Sequence, residues 1–274
     1  MGKNIKILVC SHKEARLPQH EYFYPIQVGA ALTDTRFFPT QDNTGNNISG
    51  KNPHFCELTA HYWAWKNLQC EIIGLNHYRR FFDFYRPFPK YSPDRSFIGL
   101  ESFLKKEYRF PDIEKLLDNY DIILPPKRYY PYNVATQYAI FHIINDFNIL
   151  KDVIHDITPE YLEAFDTLMY QSNGYSGYNM FITKWKHFDG YSEWLFKVLF
   201  ELEKRVKLSG YSDQARLFGY LSERLINIYC IKNRLKIKYV PVIMPLEEEF
   251  QNPGNLQYTL RRLKNNLIYK FTEL

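Results

Sequence analysis

Two adjacent arginines, Arg79 and Arg80, stand where a short apolar run ends. The run covers residues 72–75, and Asn76, His77 and Tyr78 separate it from the arginines. An apolar run of this length predicts a buried strand of an α/β sheet. Ligands of such sheets bind beyond the carboxyl ends of the strands, and guanidinium groups donate paired hydrogen bonds to phosphate oxygens. The motif therefore predicts a phosphate site, and a basic loop on a solvated surface is the alternative interpretation.

Polar side chains also follow the first predicted strand, which covers residues 6–10. Ser11 and His12 come directly after it, where side chains of α/β sheets usually contact a nucleotide base or ribose. The glycine pattern G-x-G-x-x-G does not follow the strand, which argues against a Rossmann dinucleotide site. The pair is therefore a candidate contact for a nucleotide of another class.

A carboxylate and an imidazole lie one turn apart on a helix predicted for residues 49–68. They are Glu57 and His61. Such a pair can act in acid–base or metal chemistry, although a partly buried structural pair is the commoner arrangement. No second histidine completes the spacing H-E-x-x-H, so no zinc site is predicted.

A polar helix face is predicted later in the chain. Ser212 caps a helix over residues 213–231. Four hydrogen-bonding side chains recur on one side of it: Arg216, Tyr220, Glu223 and Asn227. This face is either solvated or forms the wall of a cleft.

The segment 42–49 is dense in Asn, Asp, Thr and Gly. These residues form tight turns, because their side chains bond to their own backbone or because they tolerate unusual dihedral angles. Such turns can present a row of N–H groups to an anion. An ordinary surface turn is the alternative interpretation.

The composition is that of a globular protein. The chain has 274 residues, of which 45% are hydrophobic and 24% charged, and this suits one α/β domain with additions. The net charge of +5 favours an anionic small ligand, and no nucleic-acid-binding motif appears. The four scattered cysteines predict reduced thiols in a cytosolic protein. No signal peptide is predicted, and no apolar run approaches the roughly 18 residues of a spanning helix.

The other elements are predicted from periodicity and turn residues. Strands are expected at 121–126, 178–182 and 239–242, an insertion at 83–108, and helices at about 97–108, 111–119, 134–157, 159–169 and 194–206. The tail from 256 to 274 predicts a basic amphipathic helix, which either lies on an anionic bilayer or docks on its own domain. The expected organisation is one α/β domain at residues 1–250 and a helical tail at 251–274.

Several motifs together resemble one bacterial protein family. They are D-N-T-G-N-N-I-S at residues 42–49, E-L-T-A-H-Y-W-A-W-K-N at 57–67, G-L-N-H-Y-R-R-F-F at 74–82, D-I-I-L-P at 121–125 and N-M-F-I at 179–182. The family is described as a domain of unknown function among capsule, exopolysaccharide and O-antigen biosynthesis proteins. It is now regarded as a glycosyltransferase family and includes galactofuranosyltransferase domains. The resemblance covers roughly residues 5–245.

The resemblance implies a GT-A-like α/β fold, with a central, mostly parallel sheet flanked by helices and extended by helical insertions. It implies transfer of a hexose such as galactofuranose from a nucleotide-diphosphate donor, UDP being the first choice, to a hydroxyl of a growing bacterial surface polysaccharide. The acceptor is expected to be lipid-linked or an oligosaccharide. The expected location is the cytoplasm, up to the inner face of the cytoplasmic membrane, with peripheral membrane contact through the tail helix.

The transferase interpretation assigns roles to single residues. A carboxylate would deprotonate the acceptor hydroxyl if the reaction inverts, and the candidates are Glu57, Asp213 and Glu223. Contacts to the nucleotide sugar are expected from Ser11, His12, Asn43, Asn52, His77, Arg79, Arg80 and Asn179.

One feature departs from ordinary GT-A enzymes, which place Asp-x-Asp after a central strand to hold a divalent metal. Here the strand at 72–75 is followed by His77 and the arginines, with only Asp83 nearby. Because arginines can neutralise a diphosphate in place of a metal, no metal ligand and no required cofactor are predicted; Mn or Mg is the alternative. The missing motif also suits a competing function, a non-catalytic carbohydrate-binding or scaffold protein of a polysaccharide assembly complex.

Overall fold

A seven-stranded sheet forms the centre of the computed structural model, which describes residues 4–85, 94–248, 252 and 254–272. The strands in chain order are β1 Ile5–Ser11, β2 Phe23–Gln27, β3 Thr40–Gln41, β4 Ile72–His77, β5 Phe81–Phe82, β6 Arg95–Gly99, β7 Ile122–Leu124, β8 Arg128–Tyr129, β9 Gly174–Tyr175, β10 Phe181–Lys184, β11 Ile237–Tyr239 and β12 Val242–Leu246. The order in the large sheet is β11-β7-β10-β4-β1-β2-β3. Smaller sheets are formed by β5-β12-β6 and by β8-β9.

Neighbours in the large sheet are parallel except at β10, which runs antiparallel to both β4 and β7. The central strand β4 is buried at residues 72–76, as its apolar run predicts. Gly74 allows β10 to pack closely, because a β-carbon there would lie 2.9 Å from Ile182 Cγ1 and 3.0 Å from the Phe181 carbonyl oxygen. The predicted α/β fold with a central, mostly parallel sheet flanked by helices is confirmed.

Helices pack on both faces of this sheet. The α-helices in chain order are α1 Asn52–Phe55, α2 Leu58–Asn67, α3 Leu100–Leu104, α4 Ile113–Asn119, α5 Val134–Phe141, α6 Ile144–Ile157, α7 Leu162–Met169, α8 Trp185–Arg205, α9 Ser212–Ala215, α10 Leu217–Lys232 and α11 Asn255–Thr272. Of these, α3 contacts β6 and β12, and α11 contacts β8, all in the smaller sheets. On one face, α4 packs through Ile113 and Leu117. On the other, the long helices α8 and α10 contribute to the largest apolar cluster, and the stripe predicted at 194–206 lies on α8.

The helix predicted for residues 49–68 is broken in the middle, so that prediction was wrong as one element. A 3-10 turn at Ser49–Lys51 and the short helix α1 precede Cys56, where φ is +52° and α-helical geometry stops. The Asn52 amide donates to the Cys56 carbonyl oxygen at 2.8 Å and stabilises the break. Apolar periodicity does not reveal the break, because the residues on both sides of it still face the core.

Other predicted elements are also divided. The helix predicted for 213–231 is α9 and α10, separated at Arg216, and the helix predicted for 134–157 is α5 and α6, separated where His142 is extended. The region predicted as a helix at 97–108 begins as β6 and continues as α3.

The strand predicted for 239–242 is divided between β11 and β12, which belong to different sheets. The strand predicted for 178–182 begins only at Phe181, because the residues before it form a left-handed turn. Part of the predicted insertion, residues 86–93, and the predicted domain boundary at 250–251 lie outside the described residues.

The carboxyl-terminal helix α11 docks through its polar face. The Asn265 amide donates to the Tyr129 carbonyl oxygen at 2.8 Å, and Asn266 accepts from the Asn173 amide at 2.8 Å. Its apolar stripe is exposed: Leu256, Leu260, Leu263, Leu267 and Phe271. Within the described part of the chain, no helix has both the length and the apolar character needed to cross a membrane.

Candidate functional site

A cavity of about 460 Å³ opens at the carboxyl ends of β1 and β4. Strand β1 leads into it through Ser11 and His12, and β4 through His77. The broken helix α1–α2 and the junction of α9 and α10 form further walls. The polar lining residues are Ser11, His12, Asn52, Glu57, His77, Arg79, Arg80 and Arg216.

The break between α1 and α2 directs the carboxylate of Glu57 into this cavity. One carboxylate oxygen accepts from the Asn179 amide at 2.6 Å, and the other lies 3.4 Å from His77 Nε2. Burial alone would raise the pKa of Glu57, but the nearby His77 charge and the hydrogen bond from Asn179 outweigh it and lower that pKa to about 2. Glu57 is therefore an ionised carboxylate at neutral pH.

Asn179 holds Glu57 from an unusual backbone conformation. Its φ is +50°, and that of the preceding residue, Tyr178, is +76°. The Asn179 amide also donates to the Gly219 carbonyl oxygen, and its own oxygen accepts from Ser222 at 2.9 Å. Asn tolerates the left-handed region better than most residues, so the turn that ends at β10 is built to hold this side chain.

The arginines of the predicted phosphate motif lie at the mouth of the cavity. Arg79 is exposed, and its guanidinium lies 4.8 Å from the centre of the Tyr78 ring. Arg80 is half-buried over the Tyr178 ring at 4.9 Å. Its buried Nε atom has no hydrogen-bond partner among the described residues. A buried donor without a partner suits a ligand oxygen.

The sequence did not single out Arg216 as a site residue. It lies between α9 and α10, lines the cavity, and donates from Nε to Cys56 Sγ at 3.2 Å. The only sequence feature that pointed to Arg216 was its place on the polar helix face with Tyr220, Glu223 and Asn227. A cleft wall was one of the two interpretations of that face. Met244 and Leu246 of β12 also line the cavity, and nothing in their sequence context predicts that.

The charges of the cavity act on His12. Desolvation lowers the pKa of His12, and the positive charges of Arg79, Lys13 and Arg216 lower it further. These cations therefore act together on one place in the cavity, which favours an anionic ligand there.

Two predicted contacts are occupied by bonds within the chain. The Ser11 hydroxyl donates to the Lys13 carbonyl oxygen at 2.6 Å, and the Asn52 amide stabilises the helix break. Both residues line the cavity, and the bonds position their neighbours. The Ser11 and Asn52 side chains therefore shape the cavity wall as much as they offer contacts to a ligand.

Asn43 is not among the residues that line this cavity. It lies in the turn-rich segment next to the buried Asp42. The Asp42 carboxylate accepts from the N–H groups of Gly29 and Ala30 at 2.9 and 3.0 Å, and from Ser49. The Asp42 carboxylate therefore occupies N–H groups of residues 29 and 30, and within the turn-rich segment itself the Asn46 N–H donates to Asn67 Oδ1 at 3.0 Å and the Ser49 N–H to Asn47 Oδ1 at 3.2 Å.

The other two candidate carboxylates differ in position. Asp213 is exposed on α9 and does not line the cavity. Glu223 does not line the cavity either, but it is only 23% exposed and lies beside the left-handed turn that carries Asn179, where a β-carbon on Gly177 would approach its Oε2 to 3.5 Å. Burial raises the pKa of Glu223; the Arg224 charge opposes this rise and the Glu57 carboxylate adds to it.

A metal site was not predicted, with Mn or Mg as the alternative. Among the described residues, no three His, Cys, Asp or Glu side chains converge in a way that would hold a metal ion. Asp83 is buried, and one of its carboxylate oxygens accepts from the Tyr85 N–H at 3.2 Å. Three guanidinium groups and two imidazoles line this site, and guanidinium groups bind anions.

Comparison with known proteins gives the family. A solved structure, the WbbM bifunctional glycosyltransferase in its apo form, shares 30% sequence identity with the chain at a TM-score of 0.78. The similarity covers 91% of this chain and 47% of that protein, so the chain spans about half of its length. No curated protein sequence matches significantly. Residues 6–234 match the family described as Domain of unknown function (DUF4422), and the chain belongs to that family.

Proposed function

We propose that the chain is a glycosyltransferase domain that moves a sugar from a nucleoside-diphosphate donor to a hydroxyl of a growing bacterial surface polysaccharide. The cavity at the ends of β1 and β4 carries the proposal, because three arginines and a hydrogen-bonded carboxylate line one space there. The similarity to a bifunctional glycosyltransferase supports it. The proposed donor is a hexose such as galactofuranose, linked to UDP.

Arg79, Arg80 and Arg216 bind the diphosphate in this proposal. The bond to the anomeric carbon breaks as the diphosphate leaves, so negative charge grows on the leaving oxygen. Prearranged guanidinium groups stabilise that charge without a metal. The buried Nε of Arg80 is the donor best placed for this role, since it has no partner among the described residues.

Glu223 is the preferred general base of the three candidate carboxylates. A base works best when its pKa lies near the working pH. The pKa of Glu223 is raised, whereas that of Glu57 is lowered to about 2, which makes Glu57 a weak base. The acceptor hydroxyl gives its proton to Glu223 as its oxygen attacks the anomeric carbon. Glu57 holds His77 in place beside the donor.

The acceptor is a lipid-linked glycan or an oligosaccharide, and the protein works in the cytoplasm at the inner face of the cytoplasmic membrane. The exposed apolar stripe of α11 supports this peripheral contact, because amphipathic helices with basic flanks bind anionic bilayers.

Calorimetry with UDP, GDP, CDP and dTDP tests the donor, and saturable binding of at least one is expected. Hydrolysis of UDP-galactofuranose without acceptor then separates an enzyme from a carbohydrate-binding scaffold. Among variants, Glu223→Gln should abolish most transfer, whereas Asp213→Asn, which changes an exposed carboxylate on α9, should keep it. Equal activity of both variants would refute the role of Glu223, and failure of all four nucleotides to bind would refute the donor class.

A further inference from the structure

We infer that a second cavity is the acceptor subsite and takes a glycan bearing an anionic substituent, a carboxylate or a phosphate. The inference rests on the proposed function. The cavity has a volume of about 470 Å³ and lies between β6, β8 and α11. This volume is within the usual range for small-molecule sites.

Positive charge dominates its lining. Four arginines line the cavity, and the only carboxylate among its described lining residues is Asp94. Arg128 pairs with this carboxylate at 3.4 Å. Two of the other three arginines have neutral contacts: Arg95 donates to the Tyr178 hydroxyl at 3.0 Å, and the Arg262 guanidinium lies 4.4 Å from the centre of the Tyr129 ring. An anionic ligand would offset this excess of charge.

Aromatic rings supply the surface for a sugar. Tyr130 and Tyr132 are stacked with centroids 6.1 Å apart and planes inclined by 18°. Tyr130 also stacks on the buried Tyr175, at 6.0 Å and 15°. Such rings combine an apolar face with a polar edge. This suits a sugar ring, which has apolar C–H faces and hydroxyl edges, and distinguishes the cavity from a simple phosphate site.

Tyr178 connects this cavity to the first one. Its hydroxyl accepts from Arg95 of the second cavity, and its ring lies against Arg80 of the first. Glu223 is close to the same turn, since a β-carbon on Gly177, the residue before Tyr178, would lie 3.5 Å from its Oε2. A glycan in the second cavity would therefore lie next to the turn that carries Tyr178, near the proposed base and the donor cavity.

The test compares two disaccharides that differ in one group. Cellobiouronic acid carries a carboxylate where cellobiose carries a hydroxymethyl group, and cellobiose 6′-phosphate provides the phosphate arm. By calorimetry at low ionic strength, we expect at least one acidic disaccharide to bind about tenfold tighter than cellobiose. Whichever acid binds identifies the substituent. Arg262→Gln, a change at a half-buried surface position, should lower the affinity for the acidic disaccharide about tenfold, and Arg95→Gln should do the same.

Lys270→Gln is the matched control, since it removes one positive charge from α11 at an exposed position that does not line the cavity. The affinity of this variant for the acidic disaccharide should equal that of the wild type. Four results would each overturn the inference. Cellobiose could bind as tightly as the acidic disaccharides, or no disaccharide could bind. Arg262→Gln could leave the affinity unchanged, or UDP could compete for the same site. Loss of nucleotide binding and donor hydrolysis with intact binding of the acidic disaccharide would instead refute the proposed transferase and leave an anionic-glycan site.

Discussion

The Arg80 side chain has a buried donor with no protein partner among the described residues. If this donor binds the diphosphate, Arg80→Ala should lower sugar transfer about 100-fold, because one lost transition-state donor costs roughly 3 kcal/mol. Arg80→Lys should rescue poorly, since lysine keeps the charge and loses the planar fork. Steady-state kinetics in the presence of EDTA provide the measurement, and the wild-type rate should survive EDTA.

The matched control is Arg109→Ala. Arg109 is exposed, pairs with Glu107 at 2.8 Å, and lines neither cavity. The sugar-transfer rate of this variant should stay at the wild-type level. A folded Arg80→Ala variant with unchanged kinetics would exclude the role, and a rate abolished by EDTA and restored by manganese would identify a metal instead.

His12 reports the charge of the first cavity. Positive neighbours lower the pKa of His12, because they repel a proton on the imidazole. A bound diphosphate adds negative charge, so UDP should raise that pKa. An NMR titration of the imidazole resonances, with and without saturating UDP, measures the change. Uridine, which lacks the diphosphate, is the control and should produce a smaller rise. A pKa that UDP leaves unchanged or lowers would place the diphosphate elsewhere.

Glu57 should make the protein sensitive to acid. Its pKa falls from an ordinary 4.5 to about 2 in the folded state. The associated stability is therefore fully present above pH 4.5 and is lost as pH falls through about 2. The difference corresponds to roughly 3 kcal/mol. Urea unfolding across this window should show that the free energy of unfolding falls less steeply for Glu57→Gln than for the wild type. Parallel curves would contradict the assignment.

At the scale of elements, the left-handed turn before β10 joins the sheet to the site. Asn179→Ala removes the hydrogen bonds to Glu57 and Ser222 and places alanine at a φ of +50°. Asn179→Gly removes the same bonds without the backbone penalty. We expect both variants to lose about 2 kcal/mol or more in the free energy of unfolding, and alanine to lose about 1 kcal/mol beyond glycine. Chemical denaturation measures both. Equal stability of alanine and glycine would show that the turn is not strained.

The elements also show what local sequence patterns reveal. The apolar runs at 6–10, 72–75 and 121–126 correspond to β1, β4 and β7, because a buried strand is recognisable as a run of consecutive apolar residues. The helix break before Glu57 depends on a side-chain bond from Asn52, and apolar periodicity does not detect it. The contact between Arg216 and Cys56 joins residues 160 positions apart. The sequence therefore indicated the strand ends of the site but not the walls that complete it.

At the scale of the whole molecule, α11 exposes its apolar stripe and docks by its polar side. Leu260→Gln with Leu267→Gln should weaken binding to vesicles containing phosphatidylglycerol by about tenfold or more, because each leucine loses a favourable apolar transfer. Flotation with anionic and neutral vesicles measures the binding. Leu32→Gln is the control, since Leu32 is 55% exposed and Leu260 56%. Unchanged flotation of the double variant would show that α11 does not contact the membrane.

The position of Tyr178 between the two cavities has a thermodynamic consequence. One side chain contacts Arg80 in the donor cavity and Arg95 in the proposed acceptor cavity. A ligand that moves either arginine alters the contacts of the other through the same ring. The two occupancies are then linked, and linkage is reciprocal: the factor by which a donor changes acceptor affinity equals the factor by which the acceptor changes donor affinity. A Tyr178→Phe variant, which keeps the ring and removes the hydroxyl, would bring that common factor closer to one.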